Sequence, residues 1–336
     1  MRKKWLNSAG AAVLAFSAAT SVSAADYPSK NIQGIIMWGA GGSTDSVMRT
    51  VTPDAEKLLG TDVILVNRPG GSGALATKFV NAKRADGYTL LMGAENPQIY
   101  KVLGLSKIDY SDMIPVSLLA QGISIFVARN ETPYNNLKEF IDYAKAHPKD
   151  VKVGSTGPAG LPSILLSILK SDQKFEVTSV PYNGDSPALT ALLSGAVDVM
   201  PITYGVAKEY IRAGQVKVIG LMDKKPNDQL PGVEPVTTYF PHLAGKLPYS
   251  AFFGIFAKAG TPDDVVNKLS QAFNTAAAQG DFKKLIEDKG YEYLGLSGQK
   301  AADYVERFRK VGSWTVYEAG AAKFSPAKFN IEKIHD

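Results

Sequence analysis

The amino-acid sequence predicts an α/β fold in two lobes, with parallel-rich sheets flanked by helices. The first observation is length, since 336 residues exceed what one hydrophobic core usually holds. The second is a repeated order of apolar strand, glycine-rich turn and helix, which is typical of parallel sheets covered by helices. The third is a proline-rich stretch over residues 223–248 that interrupts this order.

Residues 1–25 predict a cleaved signal peptide. Three basic residues at positions 2–4 precede an apolar stretch over 9–19 and small residues up to a cleavage site after Ala24, in the order that secretion signals have. The apolar stretch is too short to span a bilayer. Cleavage removes three of the 37 Lys and Arg and lowers the formal net charge from +5 to +2. We therefore expect the mature protein in the periplasm.

The first set of elements alternates strand and helix. Short apolar runs bounded by glycine-rich turns indicate strands, and the segments between them have helical apolar spacing. We predict strands over residues 32–38, 62–66 and 89–92 and helices over 45–59 and 74–81.

The second set starts after Pro115 and continues the alternation. Asn136 with Glu139 three residues later is typical of a helix start, and Ser186 before Pro187 is the expected N-cap of another helix. We predict strands over residues 123–128, 151–154, 177–180, 197–202, 216–221 and 251–257, and helices over 136–146, 161–169, 187–193, 205–212, 261–278 and 297–316.

The last strand and helices are expected to pack back on the first lobe, so that the chain crosses between lobes twice. These crossings are predicted near residues 115–124 and 245–252, where they would form a hinge. Lobe 1 then comprises residues 26–120 and 248–336, and lobe 2 comprises residues 121–247.

Three glycine-bearing loops are the candidate ligand sites. The loops over residues 39–45, 154–160 and 181–187 each join a strand to a helix. Glycines let a backbone approach a ligand closely, and the unpaired N–H groups of a helix start attract anions. Ligands of open α/β sheets bind at the carboxyl ends of strands, where these loops would meet. For a single loop, a turn with an N-cap is an equal alternative.

Catalytic and nucleotide-binding classes fit poorly. The first loop matches only part of G-x-G-x-x-G, because Thr44 stands where the third glycine belongs. The chain has no cysteine and only three histidines, and no protease or esterase motif occurs. The sequence has no stripe of basic residues that would indicate a nucleic-acid partner. We expect no enzyme activity, no cofactor and no metal.

The sequence resembles the substrate-binding receptors of tripartite tricarboxylate transporters, the Bug or TctC family, over nearly the whole mature chain. Each motif is weak alone, and the ordered set is fairly specific. The motifs are Tyr27-Pro28-Ser29-Lys30, Gly41-Gly42-Ser43-Thr44-Asp45, Val66-Asn67-Arg68-Pro69-Gly70, Asp86-Gly87-Tyr88-Thr89, Val180-Pro181-Tyr182-Asn183-Gly184, Leu193-Ser194-Gly195-Ala196-Val197-Asp198 and Gly254-Ile255-Phe256-Ala257 with Gly260-Thr261-Pro262.

This resemblance implies a periplasmic-binding-protein type II fold, the Venus flytrap, whose loops hold a ligand carboxylate by backbone N–H groups and hydroxyls. It implies a periplasmic receptor for a small organic carboxylate that serves the membrane subunits of a tripartite transporter, and we expect a monomer. A sensor feeding a signalling partner, or a secreted hydrolase using Ser186, is the alternative. The candidate ligand-binding residues are Trp38, Gly39, Ala40, Gly41, Gly42, Ser43, Thr44, Asp45, Ser155, Thr156, Gly157, Asn183, Gly184, Asp185, Ser186 and Asp198.

Two positions depart from the family pattern. Trp38-Gly39 replaces the usual Pro-Phe, and the indole could stack on a ligand ring or simply pack. Asp185 stands where small residues are common. A carboxylate there would repel a second anionic group and favour a neutral or amine-bearing distal end, or it could point to solvent.

Overall fold

The structure is a computed structural model that describes residues 27–334. The predicted signal peptide lies outside the described residues. The strands are β1 Ile32–Ile36, β2 Val63–Asn67, β3 Thr89–Ala94, β4 Met113–Gln121, β5 Ser124–Ala128, β6 Lys152–Ser155, β7 Thr178–Pro181, β8 Val199–Thr203, β9 Lys217–Leu221, β10 Phe252–Lys258 and β11 Glu292–Leu296.

The helices surround these strands, and none within residues 27–334 is long and apolar enough to cross a membrane. They are α1 Ser43–Leu59, α2 Ala74–Asn81, α3 Tyr100–Leu103, α4 Leu137–Ala146, α5 Leu161–Lys170, α6 Asp185–Leu193, α7 Tyr204–Arg212, α8 Val236–Tyr239, α9 Asp263–Ala277, α10 Gly280–Lys289 and α11 Gly298–Glu318. Short 3₁₀ turns lie at Asn96–Ile99, Tyr110–Asp112, Pro241–Lys246 and Pro326–Phe329.

The strands form two mixed sheets. The first has the order β11-β4-β10-β3-β1-β2, and the second has the order β7-β6-β8-β5-β9. Parallel pairing joins β1 to β2 and β3, and β6 to β7 and β8. Strands next to the crossings pair antiparallel, namely β10 with β3 and β4, and β5 with β8 and β9. The first candidate loop therefore follows β1 at one edge of the first sheet, and the second and third follow the parallel strands β6 and β7 at one edge of the second sheet.

The chain passes between the sheets twice. The first passage is the two residues between Gln121 and Ser124, and the second is the segment 222–251. The Gly122 N–H donates to the Ala251 carbonyl at 2.8 Å, so the two passages lie side by side. A Cβ at position 122 would lie 2.2 Å from Cγ2 of Thr203, which explains the glycine there. The lobe boundaries themselves stay predictions.

An aromatic cluster in the core supports the end of β3. The ring of Tyr110 stacks on Phe256 with centroids 3.9 Å apart, and Phe252 packs edge-on against Phe308 at 5.3 Å. The Tyr110 hydroxyl donates to the carbonyl of Ala94, the last residue of β3. Such interlocked rings leave little freedom, so the residues that follow Ala94 are held in fixed positions.

Several predicted elements need correction. Strands β4 and β11 and helices α3, α8 and α10 were not predicted, and α8 lies within the stretch 223–248 that was expected to be irregular. Strand β11 is short and largely solvent-facing, which weakens its apolar pattern. Ser186 is not an N-cap, because α6 already begins at Asp185 and Gly184 precedes it with φ 144°. The Ser186 hydroxyl instead donates to the Gly41 carbonyl at 2.8 Å. The prediction that Asn136 caps α4 is confirmed, since its side chain accepts from Glu139 N–H at 2.9 Å.

Candidate ligand-binding site

A small cavity lies where the two sheets face each other. It encloses about 20 Å³, which is room for about one water molecule. The starts of α1, α5 and α6 all border it. Its lining residues are Trp38, Gly42, Ser43, Thr44, Ala94, Glu95, Asn96, Thr156, Leu161, Asp185, Thr203 and Ala251.

The first loop presents the start of α1 to the cavity. Gly42 occupies the N-cap position in an extended conformation and makes no side-chain cap, while Ser43 and Thr44 are buried in the first turn. Because a helix start carries unpaired N–H groups and the positive end of the helix dipole, this end of the cavity favours negative charge.

Asp45 does not line the cavity but holds the first loop in shape. Its carboxylate accepts from the Gly41 N–H at 3.0 Å, from Arg49 Nε at 2.9 Å and from Asn67 Nδ2 at 2.8 Å. Gly41 adopts the left-handed conformation at φ 78°, and its N–H is already paired with Asp45. Asp45 and Gly41 therefore do not border this cavity. Ala40 is exposed and does not border the cavity either.

The second loop contributes one of its three candidates. Thr156 lines the cavity together with Leu161 from the start of α5. The Ser155 hydroxyl accepts from Ser179 at 3.0 Å on the neighbouring strand, so its side chain does not border the cavity. Gly157, at φ 91°, packs against Ser72 of the opposite sheet, where a Cβ would lie 2.4 Å from Ser72 Oγ. Gly157 thus permits close approach of the lobes and does not contact the cavity.

The third loop carries an acid into the cavity. Asp185, the first residue of α6, accepts from the Ser43 hydroxyl at 2.7 Å, which joins the starts of two helices from opposite sheets. Burial raises the pKa of the Asp185 carboxyl above its usual range, while the hydrogen bonds from the Ser43 side chain and backbone lower it in part. Asp185 therefore faces the cavity and not solvent, and its carboxylate occupies the position that the first loop prepares for an anion.

Further contacts of the third loop join the lobes directly. The Gly39 N–H donates to the Asn183 carbonyl at 3.3 Å, and Ser186 donates to the carbonyl of Gly41. Gly184 faces Gly39, since a Cβ at position 184 would lie 3.7 Å from Gly39 N. These residues border the contact between lobes, and the cavity itself is lined by Asp185. The lobes are thus in direct contact.

Trp38 lies between the cavity and the core. It lines the cavity and also packs against the hydrophobic core, while its carbonyl accepts from Asn67 Nδ2 at 3.0 Å. The indole is therefore a fixed wall of the site.

Asp198 lies away from the cavity, contrary to the sequence prediction. Its carboxylate pairs with Arg129 Nη2 at 3.1 Å and accepts from the Lys152 N–H at 2.9 Å. Strands β6 and β8 run parallel, so Lys152 and Asp198 lie where both begin, and the cavity is at the opposite ends. Asp198 therefore forms a structural ion pair with Arg129.

Sequence reasoning missed Glu95 and Asn96, which follow β3. Glu95 is only 2% exposed, and burial raises the pKa of its carboxyl to about 8, with the negative charge of Asp185 adding to the rise. Its Oε1 accepts from Asn96 Nδ2 at 2.8 Å, and Asn96 Nδ2 also donates to the Ala159 carbonyl at 2.7 Å. An acid directly after an apolar strand was the available signal, because ligands bind at strand ends.

No histidine is among the residues that line the cavity. Within residues 27–334, no cluster of three or more His, Cys, Asp or Glu side chains could hold a metal ion. His147 and His242 are exposed and do not border the cavity. The geometry suits enclosure of a solute by hydrogen bonds.

Two α/β halves joined by paired crossings, with a cavity between helix starts, define a two-lobed binding protein. The chain belongs to the tripartite tricarboxylate transporter family receptor group, TctC, whose family model matches residues 47–313. The resemblance drawn from the motifs is therefore confirmed. This is a family of solute-binding receptors and not of enzymes.

Known relatives cover most of the chain. A UPF0065 protein of Bordetella pertussis is 31% identical over 294 residues, covering 86% of this chain and 89% of the relative. The protein BugT of Bordetella pertussis is 27% identical over 263 residues, covering 77% of this chain and 79% of the relative.

Solved structures share the fold. The periplasmic binding protein BugD aligns with a TM-score of 0.80 at 24% identity, covering 88% of this chain and 99% of BugD. MatC of Rhodopseudomonas palustris, solved with bound malate, aligns with a TM-score of 0.76 at 28% identity, covering 85% of this chain and 100% of MatC.

Proposed function

We infer that this chain is a periplasmic receptor that encloses a small organic carboxylate between its lobes and delivers it to the membrane subunits of a tripartite transporter. The observation that carries this inference is the cavity at which the starts of α1, α5 and α6 converge from both lobes. Support also comes from MatC, a structural relative that binds malate. In this proposal the receptor acts as a monomer.

Binding proceeds by opening and closing of the lobes, without a covalent step. A cavity of about 20 Å³ is too small for an organic acid, so the lobes must separate before the ligand enters. The Asp185 carboxylate, bonded to Ser43 at 2.7 Å, stands in for the ligand in the empty protein. An incoming carboxylate replaces Asp185 at Ser43 and at the N–H groups of the α1 start, and the lobes then close again.

Isothermal titration of the purified protein against small carboxylates tests this function. A Ser43→Ala, Thr156→Ala double variant should bind the ligand about 1–3 kcal/mol more weakly, because it loses hydrogen bonds to a charged group. Thr50→Ala is the matched control, since the Thr50 hydroxyl bonds only to the Ser46 carbonyl one turn along α1 and should leave affinity unchanged. Equal affinities of the double variant and the parent protein would exclude these two loops from the site.

A further inference from the structure

The cavity has a surplus of hydrogen-bond acceptors. Within residues 27–334, Oε2 of Glu95 and Oδ1 of Asn96 are buried without any hydrogen-bond partner. Both residues line the cavity, and so does the Asp185 carboxylate. Buried polar atoms are nearly always paired in folded proteins, and an unpaired one costs free energy. With Glu95 ionised, three residues of one cavity wall thus carry acceptor groups, which indicates a ligand that brings donors.

The groups that face Glu95 carry no compensating positive charge. Asp185 acts on it from α6. The charge of Glu95 in turn is felt by four buried tyrosines, Tyr100, Tyr110, Tyr249 and Tyr304, whose own pKa values burial raises above the ordinary range. These phenols stay neutral at neutral pH. No Lys, Arg or His is among the residues that line the cavity, so no side chain of the cavity wall supplies a positive charge to the two acids when they are ionised.

We propose that the ligand carries an ammonium group, whose three N–H donors bond to Glu95 Oε2, Asn96 Oδ1 and the Asp185 carboxylate. This inference rests on the proposed function and narrows it from small carboxylates to small amine-bearing carboxylates. The ligand carboxylate takes the start of α1 and Ser43, which frees Asp185 to accept from the ammonium. One ligand then satisfies both the anion-attracting end and the acidic end of the cavity.

A protonated Glu95 that donates to a ligand carboxylate is the rival arrangement. It would leave the Asn96 oxygen without a donor and would place a ligand carboxylate beside the Asp185 carboxylate, where like charges repel. An ammonium ion satisfies all three acceptors and neutralises negative charge. The two arrangements also differ in the sign of their pH dependence, which makes them separable.

Titration calorimetry with matched ligand pairs tests the inference. The probes are L-aspartate with succinate, β-alanine with propionate, and 4-aminobutyrate with butyrate, each pair differing by one amino group. We expect at least one amine-bearing member to bind ten times or more tighter than its partner. Glu95→Gln should lower the affinity for the amine-bearing probe by a similar factor, so that the two members of the pair bind alike. Glu131→Gln, at a side chain that is 73% exposed, should leave the difference in affinity unchanged.

The pH dependence on the unaltered protein gives an independent readout, which holds even if Glu95→Gln fails to fold. An ammonium ligand binds ionised Glu95, so binding below the free-state pKa of about 8 releases a proton. Affinity for the amine-bearing probe should therefore rise from pH 6 to pH 8, by at most about tenfold per pH unit. A carboxylate bound by protonated Glu95 would instead keep a constant affinity up to about pH 8 and lose affinity above that pH.

The outcomes distinguish a failure of the ammonium site from a failure of the carboxylate receptor. Equal or tighter binding of the amine-free acids, with an affinity that does not rise between pH 6 and pH 8, overturns the ammonium site and leaves the receptor for carboxylates intact. Silence of all six probes with folded protein, as judged by circular dichroism, counts against the carboxylate receptor itself and the ammonium site with it.

Discussion

Asp45 and Asp185 both lie in the first turns of helices, yet their carboxylates serve different purposes. The carboxylate of Asp45 bonds within its own lobe to Gly41, Arg49 and Asn67, and so fixes the loop that starts α1. That of Asp185 crosses to Ser43 of the other lobe. Acids are favoured at helix starts in general, so residue type alone does not separate a loop support from a site residue. The hydrogen-bond partners of each carboxylate distinguish these two roles.

Glu95 should make the stability of the ligand-free protein depend on pH. Its pKa is raised by burial to about 8 in the folded protein, well above the ordinary range of an unfolded chain. The folded state therefore holds the proton more tightly, and the stabilisation is present at low pH and lost as pH rises through 8. From pH 5 to 8 the free energy of unfolding of the parent protein should fall relative to that of Glu95→Gln, by up to about 1.4 kcal/mol per pH unit.

Urea unfolding of both proteins at pH 5, 6, 7 and 8 measures this difference, and other titrating groups cancel in the comparison. Glu292→Gln is a control, because that side chain bonds to Gln121 near the surface. Parallel pH profiles of the parent and Glu95→Gln proteins would show that the Glu95 carboxyl titrates in its ordinary range.

At the scale of elements, the site depends on how closely two loops from opposite sheets approach. Ser72 Oγ donates to the Thr156 carbonyl at 3.2 Å, and Asn96 Nδ2 reaches the Ala159 carbonyl. Gly157 lies in this contact with no room for a side chain. The second loop thus closes the cavity chiefly through backbone atoms.

A methyl group at position 157 should hold the lobes apart. In Gly157→Ala the new Cβ would lie 2.4 Å from Ser72 Oγ in the closed form, so we expect ligand affinity to fall at least tenfold. Gly232→Ala is the matched control: its φ of 79° imposes similar strain, but its Cβ would meet nothing within 4 Å. Both variants should lose about 1–2 kcal/mol of stability, measured by urea unfolding, while only the first loses affinity. Equal affinities in both variants would contradict this account of the loop.

At the scale of the whole molecule, direct hydrogen bonds hold the ligand-free lobes together. The bond between Ser43 and Asp185 is supported by those of Gly39 with Asn183 and of Ser186 with Gly41. All three lie on the side of the cavity formed by the first and third loops.

Removal of the Asp185 side chain should shift the empty protein toward an open form. Asp185→Ala loses the bond to Ser43, and small-angle scattering should show a larger radius of gyration than for the parent protein. Glu131→Ala, at an exposed side chain, should leave the radius unchanged. A radius identical to that of the parent protein would mean that this contact does not govern closure.

Much of this architecture could be predicted from local pattern. The glycine-rich turns between strand and helix located the first and third loops, because turn chemistry and helix starts are local properties. The order of elements also indicated paired crossings. Strand β11 was missed because it is held by pairing with β4, which is distant in sequence. Its own residues lie mostly at the surface and have no clear strand pattern.

The direction of individual side chains was the harder problem. Successive residues of a strand face opposite sides, and so Ser155 and Thr156 diverge although both belong to the predicted site. Asp198 was assigned to the wrong end of its strand, because distance along the chain does not show which strand end is near. Glu95 was missed because its loop lacks glycine, while its burial depends on rings distant in sequence.

The hydrogen bond between Gly122 and Ala251 limits the kind of motion that the two halves can make. Two chain segments that are hydrogen-bonded side by side bend readily about one axis and resist rotation about the others. We therefore expect the halves to move along one path, so that the same surfaces meet at each closure. A protein that touches both halves at their rims could thus distinguish a filled receptor from an empty one by a single angle.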